Sequence, residues 1–339
     1  MKRYRDISGS SKEMKELYLA NMWPQIVTQK GVALLEQHGF KTSGNWLNRS
    51  VNYAYADRIV LPYADFGRPI LITEATPKLW KKVISYILFP DSVVGWDAEN
   101  NRYLHEKNMD AEQVLSKSHK KLSHSNFSSR LVNEAYGIEN ITVPLGIDTD
   151  GIRGSIRDKH TGLRVLWNHM WRSDKGTYEA FDIISKLASK YPKIEFWIGQ
   201  TNTWSDRDMV TFKQRCEPRL KDLQNLDNVR FFDRIKDQKE YWAWLSQVDI
   251  SFSTAFQEGF GLSMMEQEAA GIACVVPDAE VYPELHAGCL IVNRSKLSQG
   301  LQFLIEDPDK RKFISQSCMD NASKHDTSAW VKSLINQFE

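Results

Sequence analysis

Short apolar runs recur along the second half of the chain at strand length. They are Arg164–Trp167, Ile194–Ile198 ending in Gly199, Val229–Phe232, Asp249–Ser253, Cys274–Val276 and Cys289–Val292. Helical spacing separates several of them. Thr177–Lys190 sets Ala180, Phe181, Ile184, Leu187 and Ala188 on one face, and Gln238–Gln247 and Leu262–Ala270 follow, the last ended by Gly271. Strands alternating with helices predict a parallel sheet with right-handed crossovers, an α/β Rossmann-like unit. From Leu297 onward the pattern is helical.

The first half is less regular. Residues 1–12 read as a frayed end, and 13–38 have helical spacing through Met14, Leu17, Leu19, Met22, Trp23, Val32, Leu34 and Leu35. Arg58–Leu61 and Ile70–Thr73 read as strands parted by a Gly/Pro turn. Residues 100–118 read as a helix and Ile141–Leu145 as a strand. The Gly- and Asp-rich piece 146–162 reads as a linker. It divides the chain into 1–155 and 156–339, with the last helix free to return to the first part.

Composition adds to this picture. A length of 339 residues suits two domains. A formal net charge of +1 excludes histone-like and strongly acidic chains. The sum hides an asymmetry. Residues 1–90 hold 13 Lys and Arg against 7 Asp and Glu, whereas 161–339 hold 22 against 25. The basic first third is either an acceptor-facing surface or an ordinary solvated face. No apolar run reaches membrane-spanning length and the N-terminus is polar, so no span is expected and the cytoplasm is the expected location. Cys216, Cys274, Cys289 and Cys318 form no CxxC pair, which argues against a zinc ribbon and suits a reducing compartment. The 11 tryptophans are core residues or stacking surfaces for sugars and bases.

The sharpest chemistry lies in STAFQEGFGLSMMEQEAAG, residues 253–271. A strand runs into a loop with Gly259 and Gly261, and a helix starts near Leu262 or Ser263. Such a loop lets a phosphate reach free backbone N–H groups at the positive end of a helix. Glu266, about one turn in, is placed to accept hydrogen bonds from a vicinal diol such as a ribose, and Glu258 from sugar hydroxyls. The plain alternative is a turn flanked by two surface glutamates.

The segment EGFGLSMME resembles the paired-glutamate motif of retaining glycosyltransferases of GT-B fold, family 4 type. ITVPLGIDTD, with Pro144, Gly146 and Asp148, resembles that family's inter-domain segment. VLWNHMWRSDKG, residues 165–176, resembles its phosphate-binding loop, and NVRFFDRIKDQKEYWAWLSQVDISFSTA the stretch before the first glutamate. Together these cover about residues 115–290 in the family's order. WNHMWRSDKG, STAFQEGFG and VPDAEVYPEL are most similar to the tRNA-queuosine mannosyltransferase branch.

The resemblance implies a GT-B fold, two Rossmann-like domains facing a cleft, with the N-terminal one shortened because the usual opening strand and Gly-rich loop are absent. It implies a nucleotide-diphosphate sugar donor, GDP- or UDP-linked, and no metal or other cofactor. Lys175 would meet the diphosphate, and Glu258 with Gly259, Phe260 and Gly261 the donor sugar. Leu262 and Ser263 would meet the β-phosphate and Glu266 the ribose. Arg234 and Ile235 would lie near the base, with Gly199 admitting the backbone. Where the family carries an Arg five residues before the Lys, this chain has Met170, and Arg172 or Arg234 is the replacement to look for.

Asn168 and His169 stand at a strand end beside the same loop, and Tyr282–Glu284 follow another strand. Glu284 is a nucleotide contact or a helix N-terminal carboxylate. In the first half, 116–137 resembles the family's strand and following helix. His124, Lys121 and Arg130 there are acceptor-phosphate candidates or a solvated face. Glu74 is a candidate base toward the acceptor, with Asp65 and His105 behind it. The acceptor is a modified base in tRNA or DNA, or a glycan, lipid or small molecule. A catalytically inactive sugar-nucleotide binder is the third reading.

Overall fold

The computed structural model describes residues 15–19, 29–43, 58–63, 81, 83–87, 96–97, 102–104, 109–156, 160–201 and 209–338. The expected strand Ile70–Thr73 and the candidates Asp65, Glu74 and His105 lie outside these residues, as do Tyr4, Trp23, Trp46, Tyr53, Tyr55 and Trp80, the aromatics of the basic first third that would favour a nucleic-acid acceptor.

Two six-stranded parallel sheets organise the chain. The first contains β1 (Lys15–Leu19), β2 (Phe40–Ser43), β3 (Arg58–Tyr63), β4 (Val83–Ile87), β7 (Lys120–Ser123) and β8 (Ile141–Thr142), in the order β2-β1-β3-β4-β7-β8. α1 (Gln29–Gln37) links its first two strands. A two-stranded antiparallel pair, β5 (Trp96–Asp97) and β6 (Arg102–Tyr103), and α2 (Met109–Lys117) lie between β4 and β7. α3 (Asn126–Tyr136) follows β7.

α4 (Thr149–Gly154) leads to the second sheet, formed by β9 (Arg164–Trp167), β10 (Glu195–Ile198), β11 (Val229–Phe231), β12 (Ile250–Phe252), β13 (Ala273–Pro277) and β14 (Leu290–Val292). Its order is β11-β10-β9-β12-β13-β14, and all its neighbours are parallel. The intervening helices are α5 (Thr177–Lys190), α6 (Met209–Gln224), α7 (Gln238–Leu245), α8 (Leu262–Ala269) and α9 (Tyr282–Leu285). The chain closes with α10 (Leu297–Glu306), α11 (Pro308–Ser323) and α12 (Thr327–Ile335).

The second sheet is covered on both faces, as strand alternation requires. Val165 and Trp167 of β9 pack with Phe181, Phe196 and Phe252, whereas Leu166, between them, faces the other core with Met264, Cys274 and Val276. That second core is continuous with Leu35 of α1, with Ile84, Tyr86 and Leu122 of the first sheet and with Trp330 of α12. The C-terminal helix therefore closes back onto α1, and just beyond it Phe338 meets Phe40 of β2 edge-to-face at 5.2 Å.

Three expectations are corrected. Residues 15–19 of the expected 13–38 helix form β1. Leu17 and Leu19 also recur at period two, and pairing with β2 on one side and β3 on the other satisfies both backbone edges. Within the expected 100–118 helix, Arg102–Tyr103 form β6, and the described helix is Met109–Lys117. The expected linker 146–162 contains α4, capped by Asp148 through Gly151 N–H and anchored by buried Ile152. α6 is an element the pattern did not indicate, because Pro218 lies inside it.

The junction is held by charge as well as packing. Lys30 of α1 reaches Asp150 (2.8 Å), Asp326 (3.1 Å) and Asp148 (3.4 Å). Burial opposes its charge, yet these carboxylates hold the ammonium above its ordinary range. Asp326 also caps α12 through Ser328 N–H, and Ile147 pairs with the 325–327 backbone. Gly146 passes so close that a Cβ there would stand 2.7 Å from Thr327 Cα and 2.8 Å from Trp330 Cβ. Gly146→Ala is expected to lower unfolding stability by about 1–3 kcal/mol, the cost of overpacking, read as a fall in the urea midpoint at unchanged slope.

Candidate functional site

Order in the second sheet reverses between β9 and β12, the place where open α/β sheets bind ligands beyond their carboxyl ends. Two loops leave the sheet there. One runs from Asn168 to Gly176 into α5, and the other from Ser253 to Gly261 into α8.

The loops are laced together. Phe256 and Gln257 N–H groups donate to Asp174 O (2.8 and 3.2 Å), and Thr254 Oγ1 donates to Lys175 O (2.9 Å). Trp167 Nε1 donates to Thr254 Oγ1 (3.0 Å), and Arg294 NH1 to Thr254 O (2.7 Å), with its guanidinium 3.9 Å from the Phe256 ring centroid. Gly176 makes this approach possible. It has φ +66°, and a Cβ would fall 2.1 Å from Thr254 O.

At the centre Lys175 Nζ donates to Gln257 O (2.6 Å) and pairs with Glu258 Oε2 (3.2 Å). Glu258 Oε1 accepts from Gly259 and Gly261 N–H, both at 3.2 Å. Burial works against both charges, and each overcomes it through the other. Lys175 sits above its ordinary range, and Glu258 below the usual carboxylate range. Glu280, at φ +56°, accepts the Glu258 N–H (3.1 Å).

His169 lies beside this pair, its ring 5.7 Å from that of Trp167. Its Nε2 is buried without a hydrogen-bond partner among the described residues. Burial, aided by Lys175 and opposed by Glu258, takes it down to about 4, so the imidazole is neutral at pH 7. Gly261, at φ +78°, is the N-cap of α8 and, as a glycine, offers no side chain to cap it. Leu262 and Ser263 open α8. Ser263 Oγ donates to Asn168 O, and Asn168 Nδ2 donates to Tyr241 OH (2.9 Å). Gly199 gives Asn168 room, since a Cβ there would stand 2.4 Å from its Oδ1. Glu266 accepts from Trp242 Nε1 (3.2 Å). Burial raises it to about 7, and the Trp242 and Tyr241 hydrogen bonds offset only part of that rise.

The other candidates are placed less centrally. Arg172 Nε is engaged by Asp174 (2.8 Å). Arg234 is exposed and Ile235 half-buried on the segment after β11. Phe260 is buried, its ring 6.2 Å from that of His124 and 5.9 Å from that of His325. His124 is thus enclosed behind the 253–261 loop. Lys121 is half-buried in β7, and Arg130 is exposed on α3, over Phe127 and 3.8 Å from Glu134. The structure does not gather these three into one patch. Glu284 accepts Asn126 N–H (2.7 Å) and Phe127 N–H (3.0 Å), so it caps α3 and ties the two sheets together. The roles of Gln257, Glu280, Arg294 and the Asp174 carbonyl carried no signal in the pattern, because the partners of these groups lie far away in sequence.

Residues 174–318 match the family described as Glycosyl transferases group 1. This segment, less than half of the chain, is similar to that family. Solved structures of similar fold include sucrose-phosphate synthase from Thermosynechococcus elongatus, with TM-score 0.70 and 11% identity over 96% of this chain and 98% of that one. Another is an α,α-trehalose-phosphate synthase (UDP-forming) from Burkholderia vietnamiensis, with TM-score 0.68 and 9% identity over 96% and 99%. An E. coli trehalose-6-phosphate structure bound with UDP-2-fluoro glucose gives TM-score 0.67 and 13% identity over 96% and 99%. At such identities the likeness shows the fold, which is GT-B. A tRNA-queuosine alpha-mannosyltransferase of Drosophila melanogaster is 24% identical over 125 residues, 37% of this chain and 30% of that protein. The match thus spans less than a third of that relative. Among the described residues, no helix is long and apolar enough to cross a membrane.

Removing one member of a buried ion pair strands the other. Lys175→Ala is expected to cost about 3–5 kcal/mol of unfolding stability, and the Lys175→Ala/Glu258→Ala double variant less than the sum of the two single variants. Urea unfolding of all four proteins in the cycle measures the coupling.

Proposed function

We propose that the protein moves a sugar from a nucleotide-diphosphate sugar to a hydroxyl acceptor with retention of configuration. The observation that carries this is the buried Lys175–Glu258 pair beside the N-terminus of α8, at the strand-order reversal. An ammonium, backbone N–H groups and a helix dipole together suit a diphosphate, and they stabilise it most as it leaves. Glu258 and Gly259–Gly261 hold the donor sugar, and the unpartnered His169 Nε2 accepts one of its hydroxyls. Leu262 and Ser263 N–H groups meet the β-phosphate, Glu266 the ribose, and the Arg234–Ile235 segment the base. With Met170 where a charge is expected and Arg172 engaged by Asp174, Lys175 is the principal cation for the diphosphate. Residues 156–339 form the donor domain and 1–155 the acceptor domain. Closure between them excludes water from the donor.

The acceptor is a hydroxyl on a modified base of tRNA or DNA. The basic first third and the partial similarity to a tRNA-queuosine alpha-mannosyltransferase support this. A neighbour bound with UDP-2-fluoro glucose supports a nucleotide-sugar donor. A thermal-shift panel of GDP-, UDP- and ADP-sugars tests the donor. One base is expected to raise Tm in proportion to RT ln(1 + [L]/Kd), and no response to any of them refutes the reading. Incubation of that donor, labelled in the sugar, with tRNA and with base-modified DNA tests the acceptor. Label is expected on the nucleic acid, and label only on small molecules or glycans overturns that part.

Glu266 makes donor binding depend on pH. It titrates at about 7 in the free protein, and hydroxyls donating to its carboxylate lower that value in the complex. The complex then holds fewer protons, so affinity rises with pH and levels off above about 7, by at most about tenfold per unit. Glu266→Gln is expected to flatten this profile in calorimetric titrations. His169, at about 4, stays neutral across the same range.

A further inference from the structure

Behind the 253–261 loop, three cysteines distant in sequence converge. Cys274 lies in β13, Cys289 before β14 and Cys318 in α11. All are buried free thiols whose sulfur atoms lie within 4.8 Å of one another, with Cys289 and Cys318 at 4.0 Å. Two thiolates on one tetrahedral ion, with metal–sulfur bonds of about 2.3 Å, stand about 3.8 Å apart. Three sulfurs no more than 4.8 Å apart share a point no further than about 2.8 Å from each, so small side-chain adjustments complete a three-sulfur site.

A second observation points the same way. Buried Glu268 and His286 also bring ligand atoms within 4.8 Å of the Cys289 sulfur. Glu268 Oε1 is hydrogen-bonded to His286 Nδ1, and Glu268 Oε2 accepts from Asn321 Nδ2 (2.9 Å). A carboxylate steadied through both oxygens has the support typical of a metal ligand. His286 Nε2 meets Phe260 O (2.8 Å), which connects this cluster to the backbone of the loop that carries Glu258.

We propose that Cys274, Cys289 and Cys318 bind one thiophilic divalent ion, zinc, with Glu268 as the fourth ligand and His286 and Asn321 as its outer hydrogen-bond partners. Binding deprotonates the three thiols and releases their protons to solvent, with no change of oxidation state. A closed four-coordinate site here is structural. It pins α11 and the turn before β14 to β13, beneath the loop.

The test uses the full chain. Protein purified without chelator from zinc-supplemented cells is expected to contain one zinc per chain by elemental analysis. Metal-free protein titrated with Co2+ is expected to develop sulfur-to-cobalt charge-transfer bands and the visible bands of a tetrahedral ion, saturating at one equivalent. Cys318→Ser is expected to weaken binding at least about tenfold, and Asn321→Ala by about 10–100-fold. Cys216→Ser, whose thiol lies in the separate core on the other face of the second sheet, is expected to leave binding unchanged. The proposal is overturned if the wild-type chain shows no thiolate bands with micromolar Co2+, if Cys318→Ser binds like wild type, or if peptide mapping finds a Cys289–Cys318 disulfide instead. The wild-type titration decides the matter even if a variant fails to fold, and it is independent of sugar transfer.

Discussion

The Lys175–Glu258 ion pair is the constraint from which the surrounding architecture follows. Taking both charges out of water costs several kcal/mol per ion, and their attraction repays this only when the remaining donors and acceptors are satisfied. Here they are. The carboxylate takes two glycine N–H groups, and the ammonium a backbone carbonyl from the same loop. That geometry demands that two loops from adjacent strands run in contact. Gly176 permits the contact, the Asp174 carbonyl stitches it and Arg294 clamps it from beneath. The charged groups are thus held by the ends of central strands, the most rigid place the fold offers.

The 253–261 loop is secured from further directions. Phe260 sets its ring between His124 and His325 and its carbonyl on His286. Glu284 bonds the start of α3, and Lys30 gathers three aspartates from α4 and the start of α12. These ties explain why one hydrophobic core runs from the first sheet into the second. A displacement of either sheet against the other would disturb buried charge as well as apolar packing.

Legibility in the sequence followed the local physics. The strands of the second sheet and α5 stand within about a residue or two of their pattern-based positions, since the four inner strands are largely buried on both faces and the short apolar runs are bounded by polar or glycine residues. The pattern of β1 fits a helix equally well because period two and period 3.6 are indistinguishable over five residues, and only its two neighbours decide between them. The spacing of Glu258, the glycines and Glu266 was visible because one loop and one helix turn contain it. Asp174, Glu280, Arg294 and Tyr241 were not, for their importance comes from contacts across tens of residues. The convergence of the cysteines was hidden for the same reason. Without a CxxC pair they gave no metal signal, yet three meet in space.

By itself, then, the sequence determined the alternation of strands and helices, the glycine loop with its flanking glutamates, and the unequal charge of its two halves, because each is a short-range property of the chain. Tertiary structure alone decided which strands became neighbours and that Lys175 meets Glu258. It also decided that Glu266 rises to about 7 while His169 falls to about 4, and that the last helix returns to the first sheet. Burial and pairing are set by everything that surrounds a group, and no local pattern encodes that surrounding.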